Sequence, residues 1–212
     1  MELKGKKINF LGDSIVAGVG ASGGEDTYAR ETNFVNLIAK KTGAQCRNYG
    51  KGATSIVKLT WSERVDFNYR ADFMERDADI VVIFGGTNDF GHCERIGTPQ
   101  DRTIDTFYGA VYSLFYKVVE MFPNSAVVVM TPFHRHGENL FRVPGAPLSE
   151  YRRVLLEMAE EFSLPVLDVW AESGIQPQLE QHREMYMPDG LHPNDRGHAR
   201  LADMVVKFLE EL

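Results

Sequence analysis

Three short segments, far apart in the chain, carry the residue types that acyl transfer needs. Gly12-Asp13-Ser14 follows one apolar run, Gly86-Thr87-Asn88-Asp89 follows another, and Asp189-Gly190-Leu191-His192 stands between two prolines near the carboxyl end. A serine hydroxyl is a weak nucleophile near neutral pH, so it needs a base within hydrogen-bond reach, and that base needs an orienting acceptor. His192 and Asp189 supply both. Three positions apart in one turn, the carboxylate can take the imidazole Nδ1–H and leave Nε2 for Ser14. The oxyanion formed by attack must meet donors already in place. The backbone amides of Ser14 and Gly52 and the side-chain amide of Asn88 are the candidates.

A competing motif overlaps the first segment. Gly18-Val19-Gly20-Ala21-Ser22-Gly23 is a literal G-x-G-x-x-G, and a nucleotide-binding module on the same kind of sheet is the reading from a different functional class. A dinucleotide fingerprint needs its first glycine in the turn directly after the strand, and an acidic residue about 20 positions further on. Here Asp13–Ala17 intervenes before Gly18, and the second strand ends in Asn48-Tyr49-Gly50 without an acid. These glycines are expected to shape a mobile rim beside the site.

The elements that must position these residues follow from the apolar pattern. Short apolar runs alternate with amphipathic stretches, as in a parallel sheet covered by helices on both faces. Strands are predicted at Lys7–Leu11, Gln45–Tyr49, Ile80–Phe84, Ala126–Met130 and Val166–Val169. Helices are predicted at Asn33–Lys41, Ile104–Phe122, Leu148–Phe162 and Arg196–Glu211, the last capped by Asn194 or Asp195. The long connections Trp61–Asp77 and Thr131–Pro147 are the exceptions to short loops, and the second leaves a strand's carboxyl end, where such sheets bind ligands. The expected fold is α/β, a three-layer α/β/α sandwich with a five-stranded parallel sheet.

Composition sets the outer bounds. The 212 residues, 43% hydrophobic and 25% charged, suit a single domain over 1–212. A net charge of −7 without a basic block argues against nucleic-acid binding. The charged start has no apolar core of a secretory signal, and no run approaches the length that spans a bilayer. Cys46 and Cys93 read as free thiols. A cytoplasmic location is the expectation.

Taken together, Gly12-Asp13-Ser14-Ile15, Gly52, Gly86-Thr87-Asn88-Asp89 and Asp189-x-x-His192 resemble the four signature blocks of the SGNH hydrolases, or GDSL-type esterases and lipases. The blocks come in family order and span residues 10–193. The resemblance implies a flavodoxin-like fold and hydrolysis of esters or thioesters without metal or cofactor. It also implies Ser14 as nucleophile, His192 as general base and then acid, Asp189 as its orienter, and Ser14, Gly52 and Asn88 as the oxyanion hole. Two departures stand out. Ile15 replaces the leucine of the name, and the second block is one residue shorter than the commoner form, which leaves Gly50 as the alternative to Gly52.

Other residues invite weaker readings. Asp13 reads as a cap of the following helix or a turn acceptor rather than a second acid. His134-Arg135-His136 makes a poor zinc set, because no cysteine or carboxylate set accompanies it. His134, Arg135 and Phe141 are instead candidates for a substrate-contacting loop, and Arg135 or Arg142 could grip an anionic group. Trp61, Phe67, Tyr69 and Phe73 either line an acyl or sugar site or pack a helix onto the sheet. The expected substrate is a short-chain or acetyl ester of a sugar or small alcohol. A longer-chain lysophospholipid or thioester is the alternative.

Overall fold

The computed structural model describes residues 1–23, 30–63 and 65–212. Five strands form one wholly parallel sheet: β1 (Lys7–Gly12), β2 (Gln45–Gly50), β3 (Ile80–Phe84), β4 (Ala126–Met130) and β5 (Val166–Leu167), in the order β2-β1-β3-β4-β5. The run Ile80-Val81-Val82-Ile83-Phe84 is buried throughout, as a strand covered on both faces must be. β2 lies at an edge and is more polar, with Arg47 turned to Asp77. The helices are α1 (Ser14–Ala17), α2 (Phe34–Thr42), α3 (Phe67–Ala71), α4 (Thr87–Gly91), α5 (Phe107–Met121), α6 (Leu148–Glu161), α7 (Val169–Glu172), α8 (Glu180–Tyr186) and α9 (Asp195–Glu211).

Alternation along the strands divides the core into two layers. Ile8, Phe10, Val82, Phe84 and Val128 face α2 and α9, where they meet Phe34, Ile38, Leu201 and Val205. Leu11, Val81, Ile83 and Val129 face α3, α5 and α6, where they meet Phe67, Val111, Leu114, Phe115 and Leu155. This is the expected three-layer α/β/α sandwich, and its strand order is the flavodoxin-like one.

Helix ends follow local chemistry. Asn33 accepts the Val35 amide at the start of α2, and Gly43, in the left-handed region, ends it. Asn194 rather than Asp195 caps α9, accepting the amides of Arg196 and Gly197. The predicted helix at Ile104 begins only at Phe107, because Thr106 turns its hydroxyl to the Gly109 amide and acts as the cap. The fifth strand stops at Leu167 rather than Val169: Asp168 is claimed by Arg152 and by the Thr131 hydroxyl, and α7 starts directly after it. Among the described residues, no helix is long and apolar enough to cross a membrane.

Candidate active site

The strand order reverses between β1 and β3, the place where an open parallel sheet forms its binding crevice. Ser14 leaves the carboxyl end of β1 and Asn88 that of β3, so they flank this crevice. Gly12 makes the turn into α1 possible. A Cβ there would stand 2.1 Å from Val16 Cγ2 and 2.8 Å from the Phe84 carbonyl oxygen. Asp13 caps α1 by accepting the Ile15 amide at 2.9 Å, as its sequence position suggested. Ser14 is then the first helical residue, and its own amide has no acceptor inside the helix.

The Ser14 hydroxyl lies 2.9 Å from His192 Nε2, across 178 residues of sequence. His192 Nδ1 lies 2.6 Å from Asp189 Oδ2. The other carboxylate oxygen, Oδ1, accepts the amides of Leu191 at 2.8 Å and His192 at 2.7 Å. Asp189 therefore organises the turn that carries His192, and its position fixes the tautomer with hydrogen on Nδ1 and a bare Nε2 toward Ser14. Burial pushes the Asp189 carboxyl upward, but the His192 amide and imidazole and the Leu191 amide outweigh it and hold it below the ordinary carboxylate value. Asp13 behaves oppositely. Burial carries its carboxyl up to about 6, against the Ile15 amide and the charges of His192, Arg70 and Arg135.

The wall that carries Asn88 is built against the segment after β2. Asn88 Nδ2 donates to the Thr54 carbonyl at 2.8 Å, which uses one of its two N–H groups and leaves the second. Next to it, buried Asp89 accepts the amides of Val57 at 2.8 Å and Ile56 at 3.2 Å, and burial pushes its carboxyl up to about 7. From the other side, Arg70 on α3 donates to the Gly12 carbonyl and the Thr54 hydroxyl, both at 2.9 Å, and to the Tyr49 carbonyl. The segment is thus pinned between two buried ionisable groups. Gly50 is fully engaged: its amide donates to Asn48 Oδ1 at 2.8 Å, and a Cβ there would stand 2.2 Å from the Ala17 nitrogen. Gly52 lies exposed, with nothing within 4 Å of a Cβ built on it.

The remaining candidates separate. Arg135 Nη1 donates to the Thr87 carbonyl at 3.1 Å, beside Asn88. His136 donates its amide to the Gly190 carbonyl at 2.8 Å, docking the 131–147 loop on the turn of Asp189. His134 is held inside the loop by Glu138 at 3.0 Å and by the Trp170 ring, while Phe141 and Arg142 stand exposed. Phe67 is core, whereas Tyr69 and Phe73 line a cavity of about 440 Å³ with Asn48, Gly50, Lys51 and Arg70. Gly18 closes α1 in the left-handed region, and Gly20 presses so closely on Pro193 that a Cβ would stand 2.2 Å from its carbonyl oxygen. The next helix of the described residues begins only at Phe34, so these glycines do not open a helix toward a phosphate. Among the described residues, no group of three His, Cys, Asp or Glu side chains is arranged to hold a metal ion. Sequence reasoning missed Arg70 and Asp89. Asp89 lay inside a recognised block, whereas Arg70 carried no local signal.

Known proteins resemble the chain along nearly its whole length. A GDSL lipase of Mycobacterium tuberculosis is 25% identical over 208 residues, covering 95% of this chain and 80% of that protein. One solved structure superposes with a TM-score of 0.90 at 32% identity, over 100% of this chain and 99% of its own. A protein from Lactobacillus plantarum gives 0.85 at 24% identity, covering 98% of each chain. A lipase/acylhydrolase from Enterococcus faecalis shares the fold at a TM-score of 0.68 and 20% identity, over 97% and 96% of the two chains. The model of the GDSL-like lipase/acylhydrolase family matches residues 10–200, and the chain belongs to that family of ester-bond hydrolases.

Proposed function

We propose that the protein hydrolyses carboxylic esters through an acyl-enzyme on Ser14. The observation that carries this reading is the continuous relay from Ser14 Oγ to His192 Nε2 at 2.9 Å and from His192 Nδ1 to Asp189 Oδ2 at 2.6 Å. His192 takes the serine proton as Oγ attacks the ester carbonyl. The oxyanion is held by the amides of Ser14 and Gly52 and the free N–H of Asn88. Of the two glycines, Gly52 supports the role better, because the Gly50 amide is already given to Asn48. Collapse of the intermediate expels the alcohol, which takes the proton from His192. Water then enters and the steps repeat with His192 again the base, releasing the acid and restoring Ser14.

Short acyl esters are the proposed substrates, with acetyl esters of a sugar or small alcohol foremost. The cavity lined by Tyr69 and Phe73 favours a second reading, in which longer acyl chains are taken. A series of 4-nitrophenyl esters from acetyl to palmitoyl separates the two. A maximum of kcat/KM at two to four carbons supports the first; a maximum at eight or more supports the second. Hydrolysis that persists unchanged in Ser14→Ala contradicts both.

A further inference from the structure

Arg135 is the one cation of the 131–147 loop set into the wall of the site. Its Nη1 donates to the Thr87 carbonyl at 3.1 Å and, more weakly, to the Thr87 hydroxyl at 3.3 Å, and its guanidinium lies 5.3 Å over the Phe90 ring. The residues flanking it are fixed to the site on either side: Thr87 adjoins Asn88, and His136 is bound to Gly190 next to Asp189. Burial lowers its pKa, and the carboxylates of Asp13 and Asp189 are near enough to counter this. Neither forms an ion pair with it. Among the described residues Arg135 has no carboxylate within ion-pair distance, and its Nε is buried without an acceptor. Nη2 has no protein acceptor either among those residues.

A guanidinium is held in a desolvated position only where something returns the lost hydration. Here the fork makes one strong bond and a contact with a ring, and most of its donor capacity is left over. The chain as a whole carries −7, and the site holds Asp13 and Asp189, so an anionic ester would be repelled unless one cation met it.

Building on the serine-esterase reading, we propose that Arg135 is an anion subsite, and that the preferred esters carry a carboxylate or other anionic group on the part of the molecule lying over α4. Two strand spacings separate the ends of β1 and β4, roughly 10 Å. An arginine side chain reaching back from β4 covers part of that span, which places the anion several bonds from the reacting carbonyl rather than beside it.

The test compares charged and neutral esters of matched size at constant ionic strength. On the acyl side, the 4-nitrophenyl hemiester of adipic acid is set against 4-nitrophenyl hexanoate. On the alcohol side, 4-acetoxybenzoate is set against 4-acetoxytoluene. Charge-assisted hydrogen bonds predict a charged-to-neutral kcat/KM ratio of about tenfold to a hundredfold in one arm, falling toward one in Arg135→Gln and partly kept in Arg135→Lys. Ratios at or below one in both arms for the wild-type protein overturn the proposal, whether or not the variants fold. A ratio above ten that is the same in folded Arg135→Gln also overturns it. Binding of adipate, measured by calorimetry on Ser14→Ala protein, keeps the two readings apart. Arg135-dependent binding there supports the subsite even if Ser14 proves not to be the nucleophile; its absence together with Ser14-dependent hydrolysis removes the subsite alone.

Discussion

Replacing Asn88 by alanine separates what this side chain does for chemistry from what it does for the fold. Its Nδ2 makes one protein bond, 2.8 Å to the Thr54 carbonyl, and leaves the other N–H for the oxyanion of the proposed acyl transfer. Loss of one preorganised donor costs about 10²–10³ in kcat, or roughly 3–4 kcal/mol in the transition state. The Thr54 carbonyl also loses its donor. Thr54 is itself buried, so its carbonyl is left without a donor and the folding penalty is about 1–3 kcal/mol, roughly 2–12 °C in Tm for a chain of this size. The expected signature is therefore a large fall in kcat with KM nearly unchanged in a protein that still folds. Steady-state kinetics on 4-nitrophenyl acetate, with a thermal melt on the same sample, reads both. In a Ser14→Ala background the Asn88 effect should shrink, because the donor serves an intermediate that no longer forms. A kcat within about threefold of wild type in a folded Asn88→Ala protein refutes the oxyanion role.

Three further outcomes follow from the geometry. Asp189→Asn leaves the turn able to form but presents an amide to His192 Nδ1, so kcat should fall by about 10⁴ with little change in KM; a loss under tenfold would count against the relay. Arg70→Met removes donors from Gly12, Tyr49 and Thr54 at once, and should lower the unfolding free energy by about 3 kcal/mol in urea titrations while also reducing kcat, whereas an unchanged midpoint would contradict the pinning of the 51–57 segment. Asp13 has a folded pKa of about 6 against 3.8 for the ordinary group, so its contribution to stability is present below pH 4 and is lost as pH rises through 6. Asn at this position keeps an acceptor for Ile15, so Asp13→Asn should gain about 3 kcal/mol relative to wild type between pH 4 and pH 8; a gap independent of pH would show that Asp13 is not held in a desolvated place.

Much of this fold was legible because β3 and β4 are short, β-branched and apolar, and because Gly43, Pro123 and Asn194 mark helix ends by local chemistry. Among the helices of four to seven residues, α1, α4, α7 and α8 were not, since so few residues leave no periodicity to read. Two of them carry Ser14 and Asn88, which sequence alone placed only at strand ends. The relay itself was legible from residue types: serine, histidine and aspartate in that order, with the last two in one turn. What supports it was hidden. Arg70 and Asp89 act through backbone groups of distant segments, and a carbonyl or an amide has no letter in the sequence. The conspicuous glycines misdirect for the same reason: Gly20 serves a close approach to Pro193, a tertiary contact.

The central claim is that Ser14 is the nucleophile, activated by His192. Labelling with a fluorophosphonate, followed by peptide mass spectrometry, tests it most directly. One adduct per chain is expected, on Ser14, forming in step with loss of esterase activity and abolished in both Ser14→Ala and His192→Ala. No adduct on an active protein, or an adduct elsewhere with full esterase activity surviving in Ser14→Ala, would contradict it.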